Sequence, residues 1–180
     1  MQTVHSLQQS LPAGSQLPLA FSGADFTDAY SIELPPDAPT DASTLTHALL
    51  GQAPGWVRQL MRLRDTLVRP LGLYTFPGGQ QPPAVLAVLE PGMRFGPFRV
   101  FDVRPGEVLL GENDKHLDFR VSVFVQPGAA GTEAVVSTAV RYNNRFGRLY
   151  FALVRPFHQL VVPAMLRHGR RQLAAAAPAR

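Results

Sequence analysis

Apolar and polar positions alternate along residues 24–34, where Phe26, Ala29–Tyr30, Ile32 and Leu34 stand among polar residues. This pattern predicts a strand that ends at the following proline pair. Two helices are predicted next. The first covers residues 42–50 behind an Asp41 cap, and the second runs from Pro54 to Gly72. The second is amphipathic, and we expect its core side to hold Trp56, Leu60, Leu63, Leu67 and Leu71.

From residue 85 onward the pattern indicates β-structure, after a loop predicted for residues 74–83. Short turn signals separate four apolar stretches at residues 98–103, 107–111, 117–125 and 134–142, as expected for antiparallel neighbours. A last helix follows Asn143-Asn144, with Pro156 and Pro163 expected to bend it. Its expected core positions are Leu149, Leu153, Phe157, Leu160 and Ala164.

The order of these elements predicts an α+β fold: a curved antiparallel sheet that grips a long C-terminal helix, with two short helices after the first strand. In the strand at 117–125, Leu117, Phe119, Val121, Val123 and Val125 alternate with Asp118, Arg120 and Ser122. We expect the apolar set to face the helix and the polar set, with His116, to face water or a polar partner.

The chain has 180 residues, of which 46% are hydrophobic and 17% charged, as expected for one globular domain. We predict a flexible N-terminal arm at 1–22, one domain at 23–173 and a frayed tail at 174–180. The chain has no cysteine, which excludes disulfides, a thiol nucleophile and thiolate metal sites. The N-terminus lacks the features of a secretory signal, so the expected location is the cytoplasm.

The formal charge of +4 comes almost entirely from arginines, which are scattered instead of forming a stripe interleaved with aromatic residues. This distribution argues against nucleic-acid binding. The last helix is barely long enough to cross a membrane, and Arg155 and His158 lie in its middle. A central arginine costs about 2.5–3.5 kcal/mol on insertion. We therefore expect a buried core helix and no transmembrane segment.

Two stretches carry a resemblance to known proteins: LLGENDKHLDFRVSV at 109–123 and VRYNNRFGRLYFALVRPFHQLVVPAML at 140–166. They resemble a bacterial domain-of-unknown-function family, number 2867. In outline, residues 24–171 are similar to the helix-grip fold of START-like and pollen-allergen-like proteins (SRPBCC superfamily). The family brings no established activity. The superfamily resemblance implies a cavity between the sheet and the last helix that holds an apolar molecule.

His158 is the main candidate for a polar group in that cavity, where it would orient a ligand or act as an acid–base. A histidine at a sheet edge or in solvent is the alternative. The candidate ligand-binding residues are Trp56, Phe119, Tyr142, Tyr150, Arg155, Phe157, His158 and Met165. Plain core packing is the alternative for the aromatic residues among them. Asn144 and its neighbour Asn143 are expected to cap the last helix.

His116, Asp118 and Arg120 form a second candidate cluster, in which Arg120 would hold a carboxylate or phosphate. An ion-pair ladder on an exposed strand face is the alternative. The chain has no phosphate-binding loop, no zinc-binding HExxH and no GxSxG nucleophile elbow, and its five histidines are isolated. No metal, cofactor or catalytic residue is therefore predicted.

Three functions remain open. The first is a binder of a small hydrophobic or amphiphilic molecule. The second is a cavity enzyme (a cyclase, dehydratase or hydrolase) that pairs His158 with Asp118 or Tyr142. The third is a protein-interaction module or homodimer that associates through the sheet, for which burial of His116, Asp118 and Arg120 at a two-fold axis would be the sign.

Overall fold

The computed structural model describes residues 5–6, 11–71, 88–129 and 131–176. The strands are β1 (His5–Ser6), β2 (Phe26–Glu33), β3 (Arg94–Phe95), β4 (Phe98–Arg104), β5 (Glu107–Asn113), β6 (Leu117–Gly128) and β7 (Gly131–Tyr142). The helices are α1 (Leu17–Ala20), α2 (Ala42–Leu50), α3 (Gly55–Val68) and α4 (Arg145–Ala176), and a 3-10 turn, Arg69–Leu71, ends α3. The predicted loop at 74–83 lies outside the described residues.

The strands of the described residues form one curved antiparallel sheet in the order β1-β2-β7-β6-β5-β4-β3. Strands β6 and β7 are paired along their whole length, from Leu117 opposite Tyr142 to Gly128 opposite Gly131. Strand β2 pairs with β7 on the side away from β6, so an early strand lies beside the last strand of the chain. The predicted α+β fold, with a curved antiparallel sheet and a long C-terminal helix, is confirmed.

One face of the sheet, the helix face, carries the main core. Side chains from β2, β5, β6 and β7 pack there against α2 and the C-terminal half of α4; among them are Ile32, Leu110, Val123, Val136, Leu45, Leu49 and Leu166. Helix α2 begins as predicted, because the Asp41 side chain accepts a hydrogen bond of 2.8 Å from the Thr44 backbone N–H. Helix α2 covers β4 to β6, and α4 contacts β2 and β7.

The opposite face of the sheet, the second face, is covered by the N-terminal segment, residues 11–24. Leu17 and Phe21 pack there with Leu109 and Ala139 of the sheet. Glu107 accepts hydrogen bonds from the Ser15 hydroxyl at 2.6 Å, the Gln16 backbone N–H at 2.7 Å and the Ser122 hydroxyl at 2.5 Å. Residues 11–22 therefore do not form the predicted flexible arm, since they supply the apolar cover for a face that the strand pattern suggested was exposed.

Helix α4 runs without interruption through Pro156 and Pro163. It begins as expected at Asn144, whose side-chain oxygen accepts a hydrogen bond of 2.9 Å from the Gly147 N–H. Among the described helices, α4 alone has the length and apolar composition to cross a membrane, and 17% of its most apolar stretch is buried within the protein. Its predicted core stripe faces outward: Leu149 and Leu153 are 71% and 69% exposed.

Candidate functional site

Two glycines let α4 approach the rest of the protein closely, one near each end of the helix. A Cβ atom on Gly147 would collide with the backbone carbonyl of His116, just before β6. A Cβ atom on Gly169 would collide with the Ala48 carbonyl and lie 2.7 Å from the Cα of Leu49, both in α2. Only glycine allows backbones this close, so these two contacts set the position of the helix.

The middle of α4 is packed much less tightly than its ends. The fully buried residues of the helix are Gly147 and Phe151 at one end and Leu166 and Gly169 at the other. Between them, the residues that face inward are half-buried: Val154, His158, Val161, Val162 and Met165. The helix is therefore less buried between its two contacts than at them, and the region between the middle of α4 and the sheet is the candidate site.

His158 faces the sheet in the centre of this region, where it meets Asp28 of β2. Its Nε2 atom lies 3.1 Å from one carboxylate oxygen of Asp28 and 3.3 Å from the other. Asp28 is buried, and its strand partner is Thr138. Tyr30 is the next inward residue of β2, and burial followed by the Asp28 carboxylate raises its pKa to about 12. The phenol therefore stays protonated and can act as a hydrogen-bond donor at neutral pH.

Four other predicted ligand residues lie on α4 or on the helix face of the sheet. Phe119 is half-buried and makes an edge contact with Phe98, with ring centroids 6.0 Å apart. The Tyr150 hydroxyl accepts a hydrogen bond of 3.0 Å from Arg64 of α3. Met165 is half-buried. Arg155 is exposed and lies over the Phe26 ring at 5.1 Å, at the side of α4 nearer β2.

Trp56 and Phe157 lie elsewhere. Trp56 is 46% exposed on α3 and Phe157 is 45% exposed on α4, and both belong to the outward sides of these helices. Neither side chain lines the region between α4 and the sheet, which corrects their prediction as cavity residues. For Phe157 the physical reason is that α4 has apolar residues on several sides, so that periodicity does not distinguish its inner face from its outer one. On α3 the buried residues are Val57 and Val68, which lie beside the predicted stripe.

Asp118 and Arg120 project from the second face of the sheet, away from His158, and each is 8% exposed. Arg120 lies 3.5 Å from the centroid of the Phe101 ring and 5.0 Å from that of Phe21. The strand face is therefore not exposed as expected, because the N-terminal segment of the same chain covers it. Association through the sheet stays a prediction. The pairing of His158 with Asp118 in the enzyme hypothesis is wrong.

Asp118 forms an ion pair of 2.7 Å with Arg141 and accepts a hydrogen bond of 2.9 Å from Asn143. Burial alone would raise the pKa of Asp118, but the hydrogen bonds from these two side chains outweigh it and lower the pKa below its usual value. Arg120 lies between two aromatic rings, and Asp118 pairs with Arg141 of the neighbouring strand. These contacts within the chain stabilise the pairing of β6 with β7 at this end of the sheet.

His116 is separate from Asp118 and Arg120. It precedes β6, and its ring makes an edge contact with Tyr150 of α4 at 4.9 Å. Its Nδ1 atom lies 3.4 Å from Asp114. Burial lowers the pKa of His116 below its usual value, and the positive charges of Arg64 and Lys115 act in the same direction, while Asp114 opposes them.

We expect the free energy of unfolding to fall as the pH drops below about 6.5. Below this pH the unfolded chain binds a proton on His116, whereas the folded protein keeps the ring neutral. The free energy of unfolding therefore decreases from the pKa of His116 in the unfolded chain down to its lower pKa in the folded protein. His116→Phe keeps a ring beside Tyr150 and removes the titration. Urea unfolding at pH 5 and pH 7.5 should show a smaller pH effect for this variant. An unchanged difference would contradict the assignment, and His168→Phe serves as the control.

Tyr142 lines a cleft at the N-terminal end of α4 together with Asn144, Arg145 and Arg148, with a volume of about 300 Å³. Its ring contacts Phe151 at 5.7 Å and lies under the Arg148 guanidinium at 5.8 Å. Burial, followed by the charge of Asp25, raises the pKa of Tyr142. Tyr142 thus lies near the first contact of α4, whereas the partner of His158 is Asp28.

Within the described ranges no group of three or more His, Asp or Glu side chains is arranged to hold a metal ion. Asp28 is the candidate-site residue that the sequence interpretation missed. A signal was present, because the alternation of β2 places Asp28 on the same side as Phe26, Tyr30 and Ile32. An acidic residue in an apolar strand face indicates a carboxylate with a buried partner.

The fold and the site define an α+β protein in which a curved antiparallel sheet is crossed by a long helix over a histidine–aspartate pair. The family model described as "Protein of unknown function (DUF2867)" matches residues 20–165, and the chain belongs to this family. Membership of the wider START-like superfamily stays a prediction.

No curated protein matches the chain. Among solved structures, a Rhodobacter sphaeroides protein determined by the Northeast Structural Genomics Consortium is similar, with 17% sequence identity and a TM-score of 0.47. The match covers 87% of this chain and 97% of that one.

Proposed function

We propose that the protein binds a small hydrophobic or amphiphilic molecule between the sheet and the middle of α4. The observation that carries this proposal is the half-burial of the inner residues of α4 between two tight glycine contacts. A helix that only completed the core would bury its inner face throughout. Here Val154, Val161 and Val162 keep part of their apolar surface accessible, and an apolar molecule would cover it.

The Asp28–His158 pair gives this region a polar end. Asp28 is buried beside Tyr30, while His158 is only half-buried and reaches the carboxylate from the helix. A ligand with one hydroxyl or carbonyl group would be oriented by the His158 ring, since a few placed polar groups fix orientation in an otherwise apolar site. An amphiphile with a single polar group therefore fits better than a pure hydrocarbon.

Acid–base catalysis at the same pair is the second candidate function. The His158 Nε2–Asp28 distance of 3.1 Å is the geometry in which a carboxylate orients an imidazole for proton transfer. This replaces the pairing with Asp118, which lies on the other face of the sheet. Turnover that disappears in Asp28→Asn while ligand binding survives would favour an enzyme over a binder.

The binding proposal predicts that filling the region with a bulky side chain displaces the ligand. Val154 lies four residues after Tyr150 and four before His158, hence on the inner side of the helix. Val154→Trp should lower ligand occupancy by about tenfold or more, which is the effect of about 1.4 kcal/mol of binding energy. Leu153→Trp places the same side chain on the outer side and should leave occupancy unchanged.

Occupancy is measured by native mass spectrometry of protein purified without detergent, followed by denaturation and identification of any released molecule. A stoichiometric apolar molecule that wild type and Leu153→Trp retain and Val154→Trp loses is the expected result. If the wild type is free of ligand and also fails to enhance the fluorescence of cis-parinaric acid, the binding proposal is wrong. Equal retention by both tryptophan variants would place the ligand elsewhere.

A further inference from the structure

The outward sides of α3 and α4 carry two apolar stripes, which together we call the outer apolar surface. The α3 stripe consists of Trp56, Leu60, Leu63 and Leu67; Leu60 is half-buried and the other three are exposed. The α4 stripe consists of four exposed residues, Leu149, Leu153, Phe157 and Leu160. Leu63 and Leu67 are 56% and 63% exposed. Isolated exposed apolar residues are ordinary, but apolar stripes of four residues on each of two helices indicate an interaction surface.

The two stripes border the same contact between helices. Arg64 of α3 donates its hydrogen bond to Tyr150 of α4, and each of these residues flanks the stripe on its own helix. Arg64 lies one position from Leu63 along the chain and four from Leu60, and Tyr150 follows Leu149 and lies three positions before Leu153. The buried residues of α3, Val57 and Val68, and those of α4 lie on other sides of the helices, so both stripes face outward on either side of this hydrogen bond.

Charge is distributed very unevenly between these helices and the rest of the chain. Helices α3 and α4 together contain nine of the 17 basic residues but only one of the 13 acidic residues, Asp65. The remainder of the chain therefore has more acidic than basic residues. Five arginines of the two helices are exposed: Arg58, Arg62, Arg145, Arg167 and Arg171. Helical spacing places Arg145, Arg167 and Arg171 on the side of α4 that carries its stripe, and Arg58 and Arg62 on the side of α3 away from its stripe.

The apolar stripes together with the excess of positive charge indicate what binds to the outer apolar surface. A second copy of the chain would bring the same arginines against one another, and like charges at an interface are repulsive. An anionic surface with an apolar interior complements both features at once. Arginines then meet the charged groups, while tryptophan, leucine and phenylalanine enter the apolar layer.

We propose that the outer apolar surface docks onto an anionic lipid bilayer, with α3 and α4 lying in the interface. Helix α4 does not cross the bilayer, because Gly147, His158 and Gly169 hold its other side against the protein. The proposal is independent of the ligand site, since it uses the opposite side of α4.

Trp56 provides a direct test, because it is the only tryptophan of the chain and lies on the α3 stripe. We expect its fluorescence emission to shift to shorter wavelength when anionic vesicles are added. These vesicles consist of phosphatidylcholine with 30–40% phosphatidylglycerol, roughly the anionic content that such electrostatic binding needs. Vesicles of phosphatidylcholine alone should cause a smaller shift or none. Co-sedimentation should weaken as salt rises, since screening reduces the attraction between the arginines and the lipid.

Two leucine-to-glutamate variants distinguish docking through the outer apolar surface from nonspecific binding to vesicles. Leu153→Glu, on the α4 stripe, should reduce co-sedimentation with anionic vesicles at least tenfold, because it places a charge in the apolar contact and opposite anionic lipid. Leu19→Glu changes an 81% exposed position on α1, which covers the second face of the sheet, and this variant should bind as the wild type does. Arg167→Gln should weaken binding by about fivefold.

Other outcomes would overturn the proposal. If the wild type does not bind anionic vesicles but is a dimer that Leu153→Glu dissociates, the occupant is a second copy. If it does not bind vesicles and Leu153→Glu lowers the thermal unfolding temperature well below that of Leu19→Glu, the surface is covered by the chain itself. Equal loss of vesicle binding in both glutamate variants would show that the outer apolar surface has no special role.

Discussion

Replacing Gly147 with alanine is expected to lower the free energy of unfolding by about 3 kcal/mol or more, an effect typical of severe overpacking. The new Cβ would occupy the space of the His116 carbonyl oxygen, a backbone atom that cannot rotate away. The first turn of α4 must then move off β6, and Phe151 loses its contact with Phe26, whose ring centroid lies 4.8 Å away. Gly169→Ala should act similarly against α2.

Gly55→Ala is the matched control for both variants. Gly55 is also a helical glycine, but nothing lies within 4 Å of the place that a Cβ atom would take, so alanine should be neutral or stabilise the protein by up to about 1 kcal/mol. Urea denaturation followed by circular dichroism gives all three values. If Gly147→Ala and Gly55→Ala had the same stability, the close contact between α4 and the segment before β6 would not exist.

Replacing Glu107 with alanine is the second change with a large expected effect, about 3 kcal/mol. The substitution leaves the Ser15 and Ser122 hydroxyls and the Gln16 N–H without their acceptor on the buried second face. Each buried donor that loses its partner costs about 1–3 kcal/mol, and part of this is recovered if water enters. The N-terminal segment should then detach, with its Leu17 and Phe21 contacts.

Hydrogen exchange distinguishes this detachment from general unfolding. In Glu107→Ala, amides of residues 17–21 should lose protection while those of β6 and β7 stay protected. Glu90→Ala removes an exposed carboxylate from the surface and should change stability by less than about 0.5 kcal/mol. Protection of residues 17–21 that equals the wild type would mean that Glu107 does not hold the segment.

Much of the fold could be predicted because its local signals agree with one another. Helix α2 has the predicted bounds, since the Asp41 cap and the apolar spacing mark the same residues. The predicted strands at 98–103 and 117–125 match β4 and β6 closely, because turns rich in proline, glycine or asparagine separate them. Helix α4 is longer than its apolar stripe suggested, since it begins directly at the Asn144 cap and extends into the alanine-rich tail.

The candidate site could be predicted only in part. His158 was selected as the polar residue of the last helix, and it does face the sheet. Its predicted partners were Asp118 or Tyr142, but its partner in the structure is Asp28. Asp28 lies 130 residues away in sequence, and only the pairing of β2 with β7 brings it under α4. Trp56 and Phe157 show the converse: their spacing fits a core face, but both side chains are exposed, because α3 and α4 turn other sides towards the protein.

The sequence by itself determined the α+β class, the antiparallel strand order along the chain and the start of each main helix, because caps, turns and periodicity act over a few residues. Only the tertiary structure decided which surfaces are covered. The strand pattern predicts that Asp118 and Arg120 are exposed, but a segment about 100 residues earlier in the chain covers them in the structure. The stripe from Leu149 to Leu160 looked buried, yet it faces outward. Periodicity states that a face is apolar, but the partner that covers it is distant in sequence, and only packing selects it.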